Sequence, residues 1–128
     1  TNVVRFNGWP GFFEKPIWEI SGHLSEDHQN LLQKIGKKAI PVADEIGFVS
    51  CRVIAMIINE AFFALEDGVS TVNDMNIALK LGTNYPYGPF EWADKIGHAE
   101  IHNLLASLAT TDERYKPCQL LIDNSIKA

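Results

Sequence analysis

The 128-residue chain, 46% apolar and 21% charged, is long enough for one domain with a real core, too short for two ordinary ones, and not disordered in composition. Its net charge of −5 argues against wrapping nucleic acid, whose phosphates need a basic excess on the protein. Cys51 and Cys118 show neither a CxxC spacing nor a disulfide framework, and with no secretory leader in view they fit a reducing, cytoplasmic setting.

In chain order, VVRF (3–6) and PIWEIS (16–21) are β-branched and aromatic and read as two short strands, with a Pro/Gly-rich WPG between them. The stretch NGWPGFFEKPIWEI (7–20) is dense in aromatics that something must cover. Ser25 followed by Glu26 and Asp27 is an N-cap with acids at the positive end of a helix, whose apolar face is Leu24, Leu31, Leu32 and Ile35. Lys34, Lys37 and Lys38 read as complements to that helix's C-terminus, in preference to a phosphate-binding site. AIPVAD (39–44) is a third extended piece.

Near Glu45 the character changes from mixed to helical. A helix is predicted from about Phe48 to Glu66, with Gly68 as its C-cap. Its apolar run over 53–65 is shorter than the roughly 20 residues needed to span a bilayer, and Asn59 and Glu60 interrupt it. It reads as a core or dimer-interface helix, not a membrane span. Thr71 and Asp74 form a capping box for the next helix, which Gly82 ends; 83–89 is too rich in Gly and Pro for regular structure. Three further helices are predicted over 90–96, 100–108 and 119–126.

Within 47–97, Gly47, Phe48, Arg52, Glu60, Ala61, Gly68, Thr71, Asp74, Gly82, Pro86, Gly88, Pro89, Phe90, Asp94 and Gly97 follow one pattern without a gap. The pattern is Gly-Phe-x-x-Asn-Arg, a Glu-Ala pair, a Gly, a capped Asp-Ile-Asp, and Gly-x-x-x-Pro-x-Gly-Pro-Phe. It resembles the C-terminal helical domain of the 3-hydroxyacyl-CoA dehydrogenase family. Upstream the likeness is looser: WEISG (18–22) matches the family's Glu-bearing strand, and IPVAD (40–44) the segment before the Gly-Phe.

The resemblance implies a mainly α fold. Residues 46–128 would form a helical domain of the 6-phosphogluconate-dehydrogenase-C-terminal-like type, and 1–45 a short α/β remnant ending a Rossmann-type domain (strand, strand, helix, strand). The aromatics of 7–20 would then have packed on a main sheet not contained in this chain. It also implies a homodimer, an acyl-CoA ligand, no nucleic-acid or membrane partner, and an upstream or separate nucleotide-binding domain. The chain opens on Thr1 in place of Met, which fits a piece cut from something longer; the family's usual Gly-Lys-Lys-Thr-Gly ending is not found.

The family's reaction moves a hydride between NAD and the 3-hydroxy carbon of an acyl-CoA, with a His as acid/base, a Glu that orients it, and an Asn that positions substrate. Carried over position by position, the Glu is Glu19, the His position holds Asn7 and the Asn position holds Cys51. Neutral Asn7 cannot exchange a proton near neutral pH, and Cys51 reads as a small buried residue, not a nucleophile. No Gly-x-Gly-x-x-Gly occurs, so no residue of this chain is expected to bind NAD. The expectation is a dehydrogenase-like protein or fragment, catalytically incomplete as this chain; the alternative is a non-catalytic helical module for dimerisation, acyl-CoA or partner binding.

Asp94, His98 and His102 recur at helical spacing, but Gly97 between them favours a solvated polar face over a metal site, and no metal is expected. Glu60 in its apolar run would be costly if buried without a partner; Arg52, two turns earlier, is too far along the axis to be an obvious one, and a neighbouring subunit is the expected source.

Overall fold

The computed structural model describes residues 3–127. They form two compact units that divide between Cys51 and Arg52.

The first unit holds β1 (Arg5–Phe6), β2 (Ile17–Ser21), α1 (Glu26–Lys34) and β3 (Lys38–Pro41). The sheet order is β1-β2-β3; β1 runs antiparallel to β2, with Phe6 opposite Ile20, and β2 parallel to β3, with Glu19 opposite Ile40. Parallel neighbours need a crossover, and α1 supplies it. Gly22 follows β2 at φ +104°, and a Cβ there would lie 2.8 Å from the Val3 carbonyl oxygen, so this turn admits only glycine. Ser21 donates to Asp44 Oδ1 at 3.2 Å, and Arg5 pairs with the same carboxylate, tying both strands to the segment after β3.

The aromatics of the N-terminal segment pack on one another, while Phe6 and Phe13 remain 41% and 47% exposed. Phe6 and Trp18 stack at 5.0 Å between centroids, and Phe13 meets both edge-on at 5.5 and 5.6 Å. Lys37 locks the cluster: its Nζ donates to the Phe13 and Lys15 carbonyls at 2.6 and 2.9 Å and lies 5.4 Å from the Trp18 ring. The helix-terminus role read for the three lysines therefore fits Lys34, in the last turn of α1, and not Lys37 or Lys38, which begins β3. At the other end of α1, Ser25 is the N-cap, and the His28 ring accepts from the Ser25 N–H at 3.2 Å, closing a box usually closed by an acid.

The second unit is helical: α2 (Ser50–Glu66, its first two residues belonging to the first unit), α3 (Val72–Gly82), α4 (Pro89–Ile96), α5 (His98–Ala109), a 3-10 turn at Glu113–Tyr115, and α6 (Gln119–Lys127). Helix α2 starts two residues later than the apolar pattern predicts, because Gly47 and Phe48 both take positive φ, 76° and 47°. It ends as predicted: Gly68 N–H reaches the Leu65 carbonyl and Val69 N–H the Ala64 carbonyl, a Schellman closure around Gly68 at φ +69°. Thr71 accepts from Asp74 N–H at 3.2 Å, one half of the predicted box. Proline at the first position starts α4, and Glu91 accepts from Gly88 N–H at 2.8 Å. Gly97, at φ +107°, separates α4 from α5.

The core of this unit is Ala55, Ile58 and Phe62 from α2, Phe90 and Ala93 from α4, Ile101 and Leu105 from α5, and Leu121 from α6. Spacings of three and four put the α2 residues on one face. Asn59 is buried beside them, 3% exposed, and satisfied at both ends: its Nδ2 donates to the Lys116 carbonyl at 3.0 Å, and its Oδ1 accepts from Cys118 N–H at 2.8 Å. No helix among the described residues is long and apolar enough to cross a membrane.

Candidate functional site

The three residues singled out from the sequence come together in the first unit. Glu19 projects from the middle of β2 toward the N-terminus of α2, where Ser50 grips it. The Ser50 N–H lies 3.0 and 3.2 Å from the two carboxylate oxygens, and its hydroxyl donates to Oε1 at 3.0 Å. A carboxylate belongs at that end of a helix: the first N–H groups have no intrahelical acceptor, and the macrodipole is positive there.

Asn7 follows β1 and turns its side chain inward. Its Oδ1 accepts from Trp9 N–H at 3.0 Å, while its Nδ2 is buried with no hydrogen-bond partner among the described residues. Cys51 is 5% exposed. Burial first, and then the Glu19 charge, push its thiol up to about 12, against a smaller opposite pull from the Asn7 side chain. The space among Asn7, Phe12, Trp18, Glu19 and Ser50 is about 30 Å3, room for a water molecule or two.

This arrangement holds charge and does not move protons. Asn7 has no titratable proton near neutrality. Cys51 stays a thiol, and a thiol is neither nucleophile nor base. Glu19 has its oxygens taken by the N–H and hydroxyl of Ser50. Ser50 went unnoticed in the sequence because it fills one of the two free positions of Gly-Phe-x-x-Asn-Arg; the available signal was a hydroxyl residue opening a helix directly after a Gly-Phe turn.

The β2–α1 turn joins a strand directly to a helix N-terminus, the kind of place where phosphates bind. Its glycine is used for the close approach to the Val3 carbonyl, and its helix start is closed by Ser25 and His28. These residues do not fit a dinucleotide.

In the second unit, Asp94 and His98 lie 3.7 Å apart on either side of Gly97, with the His98 ring edge-on to Phe62 at 5.9 Å; His102 is a turn further along α5. Glu60 is exposed, which removes the penalty that burial would have imposed on it. The Arg52 guanidinium lies 5.4 Å from the Tyr115 ring centroid, and its Nε is buried without a hydrogen-bond partner among the described residues.

The sequence model described as 3-hydroxyacyl-CoA dehydrogenase, C-terminal domain, matches residues 47–125. Among curated relatives, the chain is 46% identical over 92 residues to 3-hydroxyadipyl-CoA dehydrogenase of Escherichia coli K12, covering 70% of this chain and 19% of that protein. It is 39% identical over 97 residues to a probable 3-hydroxybutyryl-CoA dehydrogenase of Bacillus subtilis, covering 74% and 34%. The crystal structure of 3-hydroxybutyryl-CoA dehydrogenase from Escherichia coli superposes with a TM-score of 0.77 at 37% identity, over 88% of this chain and 25% of that one. The (S)-3-hydroxybutyryl-CoA dehydrogenase of Ralstonia eutropha gives a TM-score of 0.77 at 30% identity, over 86% and 42%. The chain thus spans 19% and 34% of the lengths of the two curated relatives.

Proposed function

The chain belongs to the 3-hydroxyacyl-CoA dehydrogenase family, and on that premise we propose that it is the C-terminal part of an NAD-linked oxidoreductase acting on 3-hydroxyacyl-CoA thioesters. Its residues 46–128 act as the family's helical domain, and 1–45 as the end of a Rossmann-type domain. The nucleotide-binding portion is carried by further sequence or by another polypeptide of the same cytoplasmic setting. The helical domain pairs two copies, and an acyl-CoA lies near Glu19.

Within this reading, the chain's own Asn7, Glu19 and Cys51 do not carry out the proton transfer. The supporting observation is the clamp on Glu19: the carboxylate that would orient a basic imidazole is bound to the start of α2, and the imidazole position holds an amide. The group that accepts the hydroxyl proton therefore comes from outside this chain. The bound NAD would supply the hydride acceptor, and this chain contributes the helical scaffold and the Glu19 carboxylate.

The replacements at the family's His and Asn positions, Asn7 and Cys51, favour a second reading, a non-catalytic module that pairs copies or binds an acyl-CoA or a protein partner without oxidising anything. Calorimetric titration with NADH tests the placement of the nucleotide. No heat of binding is expected from this chain, and saturable micromolar binding would put the cofactor site inside it and overturn the proposal. Replacing Asn7→His and Cys51→Asn in a form that includes a nucleotide domain separates the readings, since activity gained there belongs to the first.

A further inference from the structure

Asn7 is followed by Gly8, and none of the chain's other eight asparagines precedes a glycine. An asparagine loses its side-chain amide when the backbone nitrogen of the next residue attacks its carbonyl carbon, and a glycine there has no Cβ to hinder the approach. The fold gives Gly8 no other reason to be glycine. Its φ is not positive, and a Cβ on it would meet nothing nearer than Phe13 Cε2, at 3.8 Å, an ordinary contact.

Three features leave this reaction open at Asn7. Gly8 is exposed, and its N–H makes no hydrogen bond among the described residues, so the attacking nitrogen is free. Asn7 Oδ1 accepts from the Trp9 N–H at 3.0 Å, an Asx turn that folds the side chain back along the backbone and polarises the carbonyl under attack. Asn7 Nδ2, the leaving group, is held by no hydrogen bond among the described residues, and the adjoining cavity of about 30 Å3 has room for a water.

The other asparagines are placed differently. Asn30, Asn59, Asn73, Asn76, Asn103 and Asn124 lie inside helices, whose regular backbone keeps the next nitrogen away from the side-chain carbonyl. Asn84 is outside them but is followed by the bulky Tyr85, and Asn2 lies outside the described residues.

From these observations we infer that Asn7 is a site of spontaneous deamidation. The Gly8 nitrogen gives up its proton and bonds to Asn7 Cγ; the Cγ–Nδ2 bond breaks, and Nδ2 takes a proton and leaves as ammonia. Water then opens the cyclic imide at either carbonyl, leaving aspartate or isoaspartate. The net change is amide plus water to carboxylate plus ammonium, with nothing oxidised or reduced. The new carboxylate adds a negative charge to the cavity that Asn7 shares with Glu19. Its bearing on the reaction rests on the assignment of Asn7 proposed above; the modification itself does not.

The test is peptide mass mapping of the 128-residue chain held for days at mildly alkaline pH, folded and in urea. The peptide containing Asn7 gains about 1 Da, contains isoaspartate, and forms in the folded chain within a few-fold of its rate in urea. The converted chain elutes from an anion exchanger beside freshly made Asn7→Asp. Gly8→Ala slows the conversion about tenfold or more, with circular dichroism to confirm that it keeps its fold, and Asn7→Gln, which would have to close a larger ring, abolishes it. No gain at Asn7 in the folded chain, a rate that Gly8→Ala or Asn7→Gln leaves unchanged, or a faster gain at another asparagine overturns the inference.

Discussion

A carboxylate in the middle of a strand is costly unless something holds it, and in this chain α2 does. Ser50 gives Glu19 a backbone N–H and a hydroxyl, both charge-assisted and hence stronger than neutral bonds. Removing the carboxylate leaves the first N–H of α2 and the Ser50 hydroxyl without an acceptor. Glu19→Ala is therefore expected to cost about 2–3 kcal/mol and Ser50→Ala about 1 kcal/mol, read from urea unfolding midpoints. Cys51 adds a pH signature. Its thiol rises from 9.0 to about 12 in the folded chain, so the folded state holds that proton more tightly than the unfolded state. The contribution is constant below about pH 9 and lost as pH rises toward 12, with a limiting slope of about 1.4 kcal/mol per pH unit. Comparing alkaline unfolding of the unsubstituted chain with that of Cys51→Ala isolates it. The variant should fall away less steeply above pH 9, and parallel curves would mean that the thiol is not held by burial.

At the level of elements, the helical unit depends on one polar residue in an apolar stripe. Asn59 bonds to the chain on both sides of Pro117, through Lys116 and Cys118, and so fixes the entry to α6 against α2. Asn59→Ala would strand a carbonyl and an N–H in the core, at a cost of about 2–4 kcal/mol; equilibrium unfolding measures it, and a change under about 0.5 kcal/mol would mean water replaces the amide. The contrast between Asn59 and the helix ends shows what the sequence made legible. Thr71, Gly68 and Gly97 act within a few residues of themselves, so their roles could be read directly, and the helices they bound lie close to where expected. Asn59, Ser50 and Lys37 work through partners 22 to 59 positions away. No periodicity encodes such pairs, and Asn59 registered only as an interruption. The start of α2 was misplaced for a different reason: an apolar residue, Phe48, adopts a left-handed conformation that composition does not reveal. Family resemblance singles out Asn7, Glu19 and Cys51, and the fold brings them together, with Ser50 binding the Glu19 carboxylate.

For the whole molecule, the proposal is of a family member whose own residues supply scaffold while the reacting groups lie in further sequence or another polypeptide. In the proposed assignment the β2–α1 turn does not fit a dinucleotide, the acid/base position holds the amide of Asn7, and the Glu19 carboxylate is bound by Ser50. The relatives it matches are much longer, with 19% and 34% of their lengths in common with this chain, so the missing chemistry has room to lie outside it. The most direct measurement is the rate of NADH oxidation with acetoacetyl-CoA by the purified 128-residue chain, set beside its Glu19→Gln variant. The account predicts no rate above the blank for either protein. Turnover by the unsubstituted chain that falls with Glu19→Gln would contradict it, by showing that this carboxylate and a proton acceptor within the chain carry out the reaction.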